Sequence, residues 1–262
     1  MKKGNCKKLF SLIAVVVVLF AGCSKRSNEK EDMNFEELKA MAITEFSGKK
    51  SEKAITYLEE MVSRFPERRD ISQYKIMLAD LYLNDGSLDA AYELYKNYST
   101  MYPGDSKAEY ATYRTILAKF YKTLKVSSKC DQTDTEITLV LCKDYLKEPT
   151  FYEYQDDVKD INYTCERRLI DKEVYVFNSY LRKKKFKSAQ NRLNYLQNTF
   201  LKKHQSLEPQ ILFLECRLAH KQNDEEALRG KVDTLMQKFN DSQYTRMAMG
   251  IVDKKSKKRF LW

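Results

Sequence analysis

Apolar residues recur at intervals of three to four positions along most of this chain, which is the spacing of amphipathic helices. The clearest stretch is residues 69–103, where two such helices flank a turn at Asn84-Asp85-Gly86. Small residues allow two paired helices to approach closely, and tyrosines fill the space beside them. The apolar faces of this stretch carry Leu78, the small residues Ala79 and Ala91, and the tyrosines Tyr82 and Tyr95. Pro103 closes the stretch.

The same pattern recurs along the chain. An interval of eleven residues separates an alanine from an aromatic residue three times, at Ala54–Phe65, Ala91–Tyr102 and Ala189–Phe200. The order Leu-small-x-x-Tyr, Ala-x-x-x-aromatic, Pro is typical of tetratricopeptide repeats (TPRs). We therefore predict an all-α fold, a TPR-like superhelical solenoid of about five helix pairs.

The pattern also predicts the order of domains. A signal peptide is predicted for residues 1–22 and a flexible polar tether for 23–33. TPR-like repeats 1–3 follow at 34–150, repeats 4 and 5 at 151–250, and a basic tail at 251–262. In repeat 3, Ile137 stands where a small residue is expected. Repeats 4 and 5 open with one long helix, predicted over 151–185, whose apolar face is Val158, Ile161, Cys165, Leu169, Val176 and Tyr180.

The N-terminal segment has a positive start and an apolar run from Leu9 to Ala21, which is too short to span a membrane. It ends at Gly22-Cys23 and resembles a bacterial lipoprotein signal, in which the cysteine is acylated and becomes the new N-terminus. Ser24 follows the cysteine, where an aspartate would favour retention in the inner membrane. By resemblance to enterobacterial lipoproteins, the serine implies sorting to the outer membrane. An ordinary signal peptide with a chance cysteine is the alternative interpretation.

Charge does not indicate a nucleic-acid partner. The net charge is +10, but four lysines of the first 22 residues and a +4 excess in the last ten leave +2 for residues 23–252. Nucleic-acid binding requires a basic face rather than basic ends.

Catalytic chemistry is not indicated either. The chain has two histidines, His204 and His220, which we expect at surface or turn positions, and its carboxylates lie on polar helix faces. No phosphate loop or zinc-protease motif occurs. We therefore predict a protein that is not an enzyme and binds no metal or cofactor.

Four cysteines follow Cys23, at Cys130, Cys142, Cys165 and Cys216, and none forms a CxxC pair. An oxidising periplasm permits disulfides. If the helices flanking Pro149 form an antiparallel hairpin, Cys130 falls opposite Cys165, so we predict this bridge. Isolated thiols within helix packing remain the alternative.

Several segments carry a family resemblance. They are residues 53–59 with Arg64-Phe65-Pro66, Asp131-Gln132-Thr133-Asp134-Thr135, and Ala189-Gln190-Asn191-Arg192-Leu193. Over about residues 12–245 the chain resembles the BamD family, the periplasmic lipoproteins of the outer-membrane β-barrel assembly machine.

The resemblance implies a scaffold that is lipid-anchored at the periplasmic face of the outer membrane. Its C-terminal repeats would bind the periplasmic domains of the integral barrel subunit, with Arg192 and Asn191 at that interface. Its N-terminal repeats would bind unfolded outer-membrane proteins near Phe65 and Tyr57. The alternative interpretations are that these aromatic residues fill the core, as they often do in repeats, and that Arg192 is a solvated surface charge.

Two other functions fit a TPR lipoprotein. One is an adaptor of another envelope machine, either a secretin pilotin or a regulator of a cell-wall synthase. The other is an enzyme, which would require an acid, a base or a nucleophile brought together by folding.

Overall fold

The computed structural model describes residues 33–259, with side chains described for residues 33–253. The predicted signal peptide, the lipidation site at Cys23 and all but the last residue of the tether lie outside the described residues. The side chains of most of the basic tail lie outside them as well.

Within the part of the chain that the structure describes, there are eleven α-helices and no strand. Five consecutive helix pairs are followed by one further helix, which confirms the predicted all-α, TPR-like fold of about five helix pairs. The helices are α1 Phe35–Ser47, α2 Ser51–Arg64, α3 Ile71–Asp85, α4 Leu88–Met101, α5 Ala108–Leu124, α6 Thr133–Lys147, α7 Gln155–Arg182, α8 Phe186–Leu196, α9 Glu208–Gln222, α10 Glu225–Lys238 and α11 Gln243–Arg259.

The small residues of the repeat pattern lie where the helices of a pair pack together. Each of them is fully buried, with 0% of its surface exposed: Ala42, Ala54, Ala79, Ala91 and Ala189. A larger side chain at these positions would push paired helices apart, because protein interiors are close-packed.

Four of the five pairs are closed by the same turn. One residue in each turn has a positive φ: Lys49 (58°), Gly86 (83°), Lys184 (57°) and Asn223 (62°). The next residue donates its backbone N–H to the carbonyl five positions earlier, at 2.9–3.0 Å. This is the left-handed closure that commonly ends helices.

The third pair is different, since residues 125–132 connect α5 to α6 without a positive φ. Ile137 is only half-buried, and Thr135 and Thr138 are the small buried residues of α6. The small buried positions of the repeat pattern therefore fall at Thr135 and Thr138 in this helix and not at Ile137.

The long helix α7 is shorter than predicted and spans about 42 Å at 1.5 Å per residue. Val158, Ile161 and Cys165 are buried as predicted. Beyond them the buried face moves by one residue, so Leu169, Val176 and Tyr180 are half-buried. The buried residues that pack against α8 and α9 are Ile170, Phe177 and Leu181, with Leu169 and Tyr180 at the edge of the same cluster.

The chain divides into two compact units between Lys119 and Phe120, within α5. The first unit has an apolar core at α1–α3, and the second has cores at α7–α9 and at α9–α11. The division predicted from the repeats, between 150 and 151, stays a prediction. None of the helices searched in residues 33–259 is both long and apolar enough to cross a membrane.

The four cysteines within the described residues are free thiols, and the predicted bridge between Cys130 and Cys165 is not present. Cys130 is exposed in the α5–α6 connection, whereas Cys165 is buried in α7. Burial raises the pKa of the Cys142 thiol to about 12, and the nearby Cys165 raises it further.

Candidate functional site

A groove of about 380 Å³ opens in the first unit, along the first helix of three successive repeats. Helices α1, α3 and α5 supply its walls, which combine apolar side chains with an ionic cluster. The lining residues are Phe46, Gln73, Ile76, Met77, Asp80, Leu81, Asn84, Lys107, Tyr110 and Arg114.

Asp80 organises the polar wall of this groove. Its Oδ1 accepts hydrogen bonds from the hydroxyls of Tyr95 and of Tyr110, the latter at 2.6 Å. Arg114 lies 3.4 Å from the same oxygen and donates to the Tyr95 hydroxyl at 3.3 Å. Burial, with Asp80 as the second cause, raises the pKa of Tyr95 well above its usual range. The network holds α3, α4 and α5 together, with Tyr95 protonated.

The apolar side of the groove is accessible. Phe46, at the end of α1, exposes 49% of its surface, and Met77 of α3 lies partly buried on the adjoining apolar core. Sequence reasoning missed Phe46, because the repeat pattern identifies buried positions and gives no signal for groove-facing ones.

The predicted client residues Phe65 and Tyr57 are half-buried against the apolar core of α1–α3. The ring of Phe65 packs edge-on against that of Phe35, with centroids 5.5 Å apart. The Arg64 guanidinium lies 5.3 Å from the Phe65 ring. Neither predicted residue is among those lining the groove, so their role in client binding stays a prediction.

The predicted partner residues lie on α8 in the second unit. Asn191 is exposed, and the Arg192 side chain is 39% exposed. Arg192 Nη1 lies 3.2 Å from Oε2 of Glu173, on α7, and its Nε has no hydrogen-bond partner in the described part of the chain. The internal pair engages Nη1 and orients the guanidinium. Because Nε is buried, a second carboxylate would be bound through Nη2.

The segment Asp131–Thr135 closes the α5–α6 connection. The buried Gln132 amide nitrogen donates to the carbonyls of Ser127, Cys130 and Asp131 at 3.0–3.3 Å. Thr135 donates its hydroxyl to Gln132 Oε1 at 2.9 Å. The two N–H groups of one buried amide are thus shared among three carbonyls of the same connection.

Two cations of α7 hold the same connection from the other side. Arg168 Nη2 donates to the carbonyls of Thr123 and Val126 at 2.5–2.6 Å. Lys172 Nζ donates to the carbonyls of Lys129 and Cys130 at 2.7–2.8 Å. Sequence reasoning missed both, because a charge on a helix is indistinguishable from a solvated one until its neighbours are known.

His204 lies in the connection between α8 and α9, as a turn residue would, but it is buried and not at the surface. Its Nε2 lies 2.7 Å from Oε2 of the buried Glu166, and Lys203 lies 3.3 Å from the other oxygen. The pairing joins the α8–α9 connection to α7, which explains the burial of a carboxylate. Among the residues the structure describes, no group of three or more His, Cys, Asp or Glu side chains is placed to hold a metal ion.

Comparison with known proteins gives one family match. The profile of the YfiO family, described as an outer membrane lipoprotein, matches residues 31–217. No curated protein sequence matches the chain.

Two solved structures show how far structural similarity extends. The TPR domain of P58(IPK) has a TM-score of 0.42 and 15% identity, covering 85% of this chain and 56% of that one. The chain therefore spans little more than half of that structure's length. PilW, a widely conserved type IV pilus biogenesis factor, has a TM-score of 0.34 and 13% identity, covering 82% of this chain and 98% of that one.

Proposed function

We propose a scaffold function for this chain, which belongs to the YfiO family of outer membrane lipoproteins. In this proposal it is not an enzyme. It is anchored through Cys23, faces the periplasm and serves the outer-membrane β-barrel assembly machine. The observation that carries the proposal is the family match over residues 31–217, which includes segments of both compact units. Each unit is assigned one binding task.

The second unit binds the periplasmic domains of the integral barrel subunit through Arg192, with Asn191 beside it. A guanidinium forms two parallel hydrogen bonds with a carboxylate, and Arg192 is both exposed and oriented by Glu173. The expected counterpart on the barrel subunit is therefore a carboxylate at the interface.

Charge reversal tests this interface. We expect Arg192→Glu to weaken binding of the purified barrel subunit at least about tenfold, because it replaces an attraction by a repulsion. Arg229→Glu is the matched control, since Arg229 is an exposed arginine on α10.

A charge swap separates the interface from the internal pair. Arg192→Glu combined with Glu173→Arg restores an ion pair between α7 and α8. If Arg192 acts only within the chain, the double variant binds normally. The proposal predicts that the double variant folds stably and still binds weakly.

The first unit binds unfolded barrel proteins through the groove of α1, α3 and α5 and, outside that groove, through the half-buried Phe65 and Tyr57. An extended client segment presents alternate apolar side chains, and exposed aromatic groups such as Phe46 are suitable anchors. The stacked first helices of a repeat array are the usual place for such binding.

The client site is tested with a fluorescent peptide copied from the last strand of an outer-membrane barrel protein. We expect Phe46→Ser and Phe65→Leu each to weaken binding about five- to thirtyfold, as loss of an aromatic anchor does. Tyr152→Ser is the control, because Tyr152 is an exposed aromatic residue of the second unit. Unchanged affinity of Phe46→Ser would exclude the groove, and unchanged affinity of Phe65→Leu would exclude that residue as a client contact.

A further inference from the structure

A second groove, of about 520 Å³, lies entirely within the second unit. Helix α7 forms its floor, α9 one wall, and the connection between α5 and α6 the other. It is lined by Ser128, Lys129, Asp171, Val174, Tyr175, Asn178, Arg182 and Arg217. Neither Arg192 nor Asn191 is among these residues, so this groove differs from the proposed barrel-subunit interface.

Arg217 is the unusual member of the groove. It is half-buried, donates a hydrogen bond to Oδ1 of Asn178 and lies 5.8 Å from the ring of Phe213. No carboxylate forms an ion pair with it in the described part of the chain. Burial lowers the pKa of its guanidinium, since the charge is withdrawn from water without an opposite charge beside it. A half-buried cation in this state gains from an anionic ligand.

The surrounding charges favour the same ligand. Arg182 on the floor and Lys129 on one wall are exposed, and Asp171 is the one acidic lining residue. The lining thus carries three positive charges against one negative. Lys129 lies 5.8 Å from the ring of Tyr175, and this ring is exposed in the groove.

The groove wall is also held in place. Lys172 binds the carbonyls of Lys129 and Cys130, and Arg168 binds those of Thr123 and Val126. Gln132 closes the same connection from within. The cations are therefore presented on a wall ordered before binding, which lowers the entropic cost of taking a ligand.

We propose that this groove binds the carboxylates of an extended acidic peptide segment. Arg217 anchors one carboxylate with Asn178 beside it, and Arg182 and Lys129 attract further negative charge. Tyr175 and Val174 pack against an apolar side chain of the segment. The carboxylates come either from acidic side chains or from a chain terminus, and both present the same planar pair of oxygens to the guanidinium.

The test uses the mature lipidated protein in detergent and a short fluorescein-labelled peptide ending in three glutamates. Fluorescence anisotropy is measured for the free acid, for its C-terminal amide and for a C-terminal amide with glutamines in place of the glutamates. Variants are Arg217→Gln, and Arg229→Gln as the matched control on an exposed arginine. Circular dichroism verifies that both variants retain their helix content and melting temperature.

We expect saturable binding of the glutamate peptide, weakened about tenfold or more by Arg217→Gln and unaffected by Arg229→Gln. Equal binding of acid and amide assigns the site to acidic side chains, whereas loss in the amide assigns it to the terminal carboxylate. Binding as strong for the glutamine amide, or no effect of Arg217→Gln, overturns the proposal. If Arg217→Gln does not fold, the double variant Arg182→Gln/Lys129→Gln is measured in its place. Weakened binding of the glutamate peptide then supports the proposal, and unchanged binding overturns it. The result is independent of the Arg192 interface, which is read out with the barrel subunit.

Discussion

The turn residues Lys49, Gly86, Lys184 and Asn223 show how single positions define the repeats. Each adopts a left-handed conformation that lets the following N–H reach back to the helix it leaves. Glycine and asparagine tolerate this conformation, whereas a lysine is strained in it. Two of the four turns therefore contain a residue that is unfavourable at its position.

Substitutions at two of these turns are expected to change the free energy of unfolding in opposite directions. We expect Lys184→Gly to raise the free energy of unfolding by up to about 1 kcal/mol, and Gly86→Ala to lower it by about 1 kcal/mol. A Cβ built at Gly86 meets no atom within 4 Å, so the loss is conformational and not steric. Urea unfolding of both variants measures it, and a destabilised Lys184→Gly protein would contradict the explanation.

The cysteines give a second prediction at this scale. Burial raises the pKa of Cys142, Cys165 and Cys216 to about 12, so these remain protonated thiols at pH 8. Cys130 is exposed. In the native lipidated protein we expect a thiol reagent to label Cys130 rapidly and the other three only after unfolding. Peptide mapping assigns the label, and protection of Cys130 that reductant removes would support a bridge instead.

At the scale of elements, the α5–α6 connection is the clearest departure from a regular repeat. Its carbonyls are bound by Gln132 from within and by Arg168 and Lys172 from α7. The segment around Gln132 that resembles the BamD family therefore has a structural role. Ser128 and Lys129 of the same connection line the groove around Arg217.

Removing the buried amide tests this role. We expect Gln132→Ala to cost about 1–3 kcal/mol of unfolding free energy, because three carbonyls lose a donor. Hydrogen exchange should accelerate first in residues 125–132. Gln222→Ala, an exposed glutamine at the end of α9, should change stability by less than about 0.5 kcal/mol. Equal effects of the two substitutions would refute the assignment.

The elements also show what a sequence can predict. Helix pairs and their fully buried alanines follow from spacing and size, because one periodic pattern specifies both. The buried pair of His204 and Glu166 does not follow, since polar residues give no periodic signal when they are satisfied by a partner 38 positions away. Arg217 was missed for the same reason, since its partner Asn178 is distant in sequence. The buried face of α7 moves along the helix because α7 packs against both α6 and α8.

The whole molecule consists of two compact units, and the family profile matches segments of both. In the account proposed here, the first unit holds unfolded clients, and the second holds the barrel subunit through Arg192. Membership of an outer membrane lipoprotein family establishes the class of protein. The choice of machine rests on the proposal.

Capture of partners from the envelope tests that choice most directly. The mature lipoprotein, tagged at its C-terminus, is purified from detergent-solubilised membranes, and the proteins retained with it are identified by mass. The account predicts a large β-barrel protein with repeated periplasmic domains in near-equal amount, lost with Arg192→Glu and retained with Arg229→Glu. A secretin or a cell-wall synthase in near-equal amount, without the barrel protein, would contradict it.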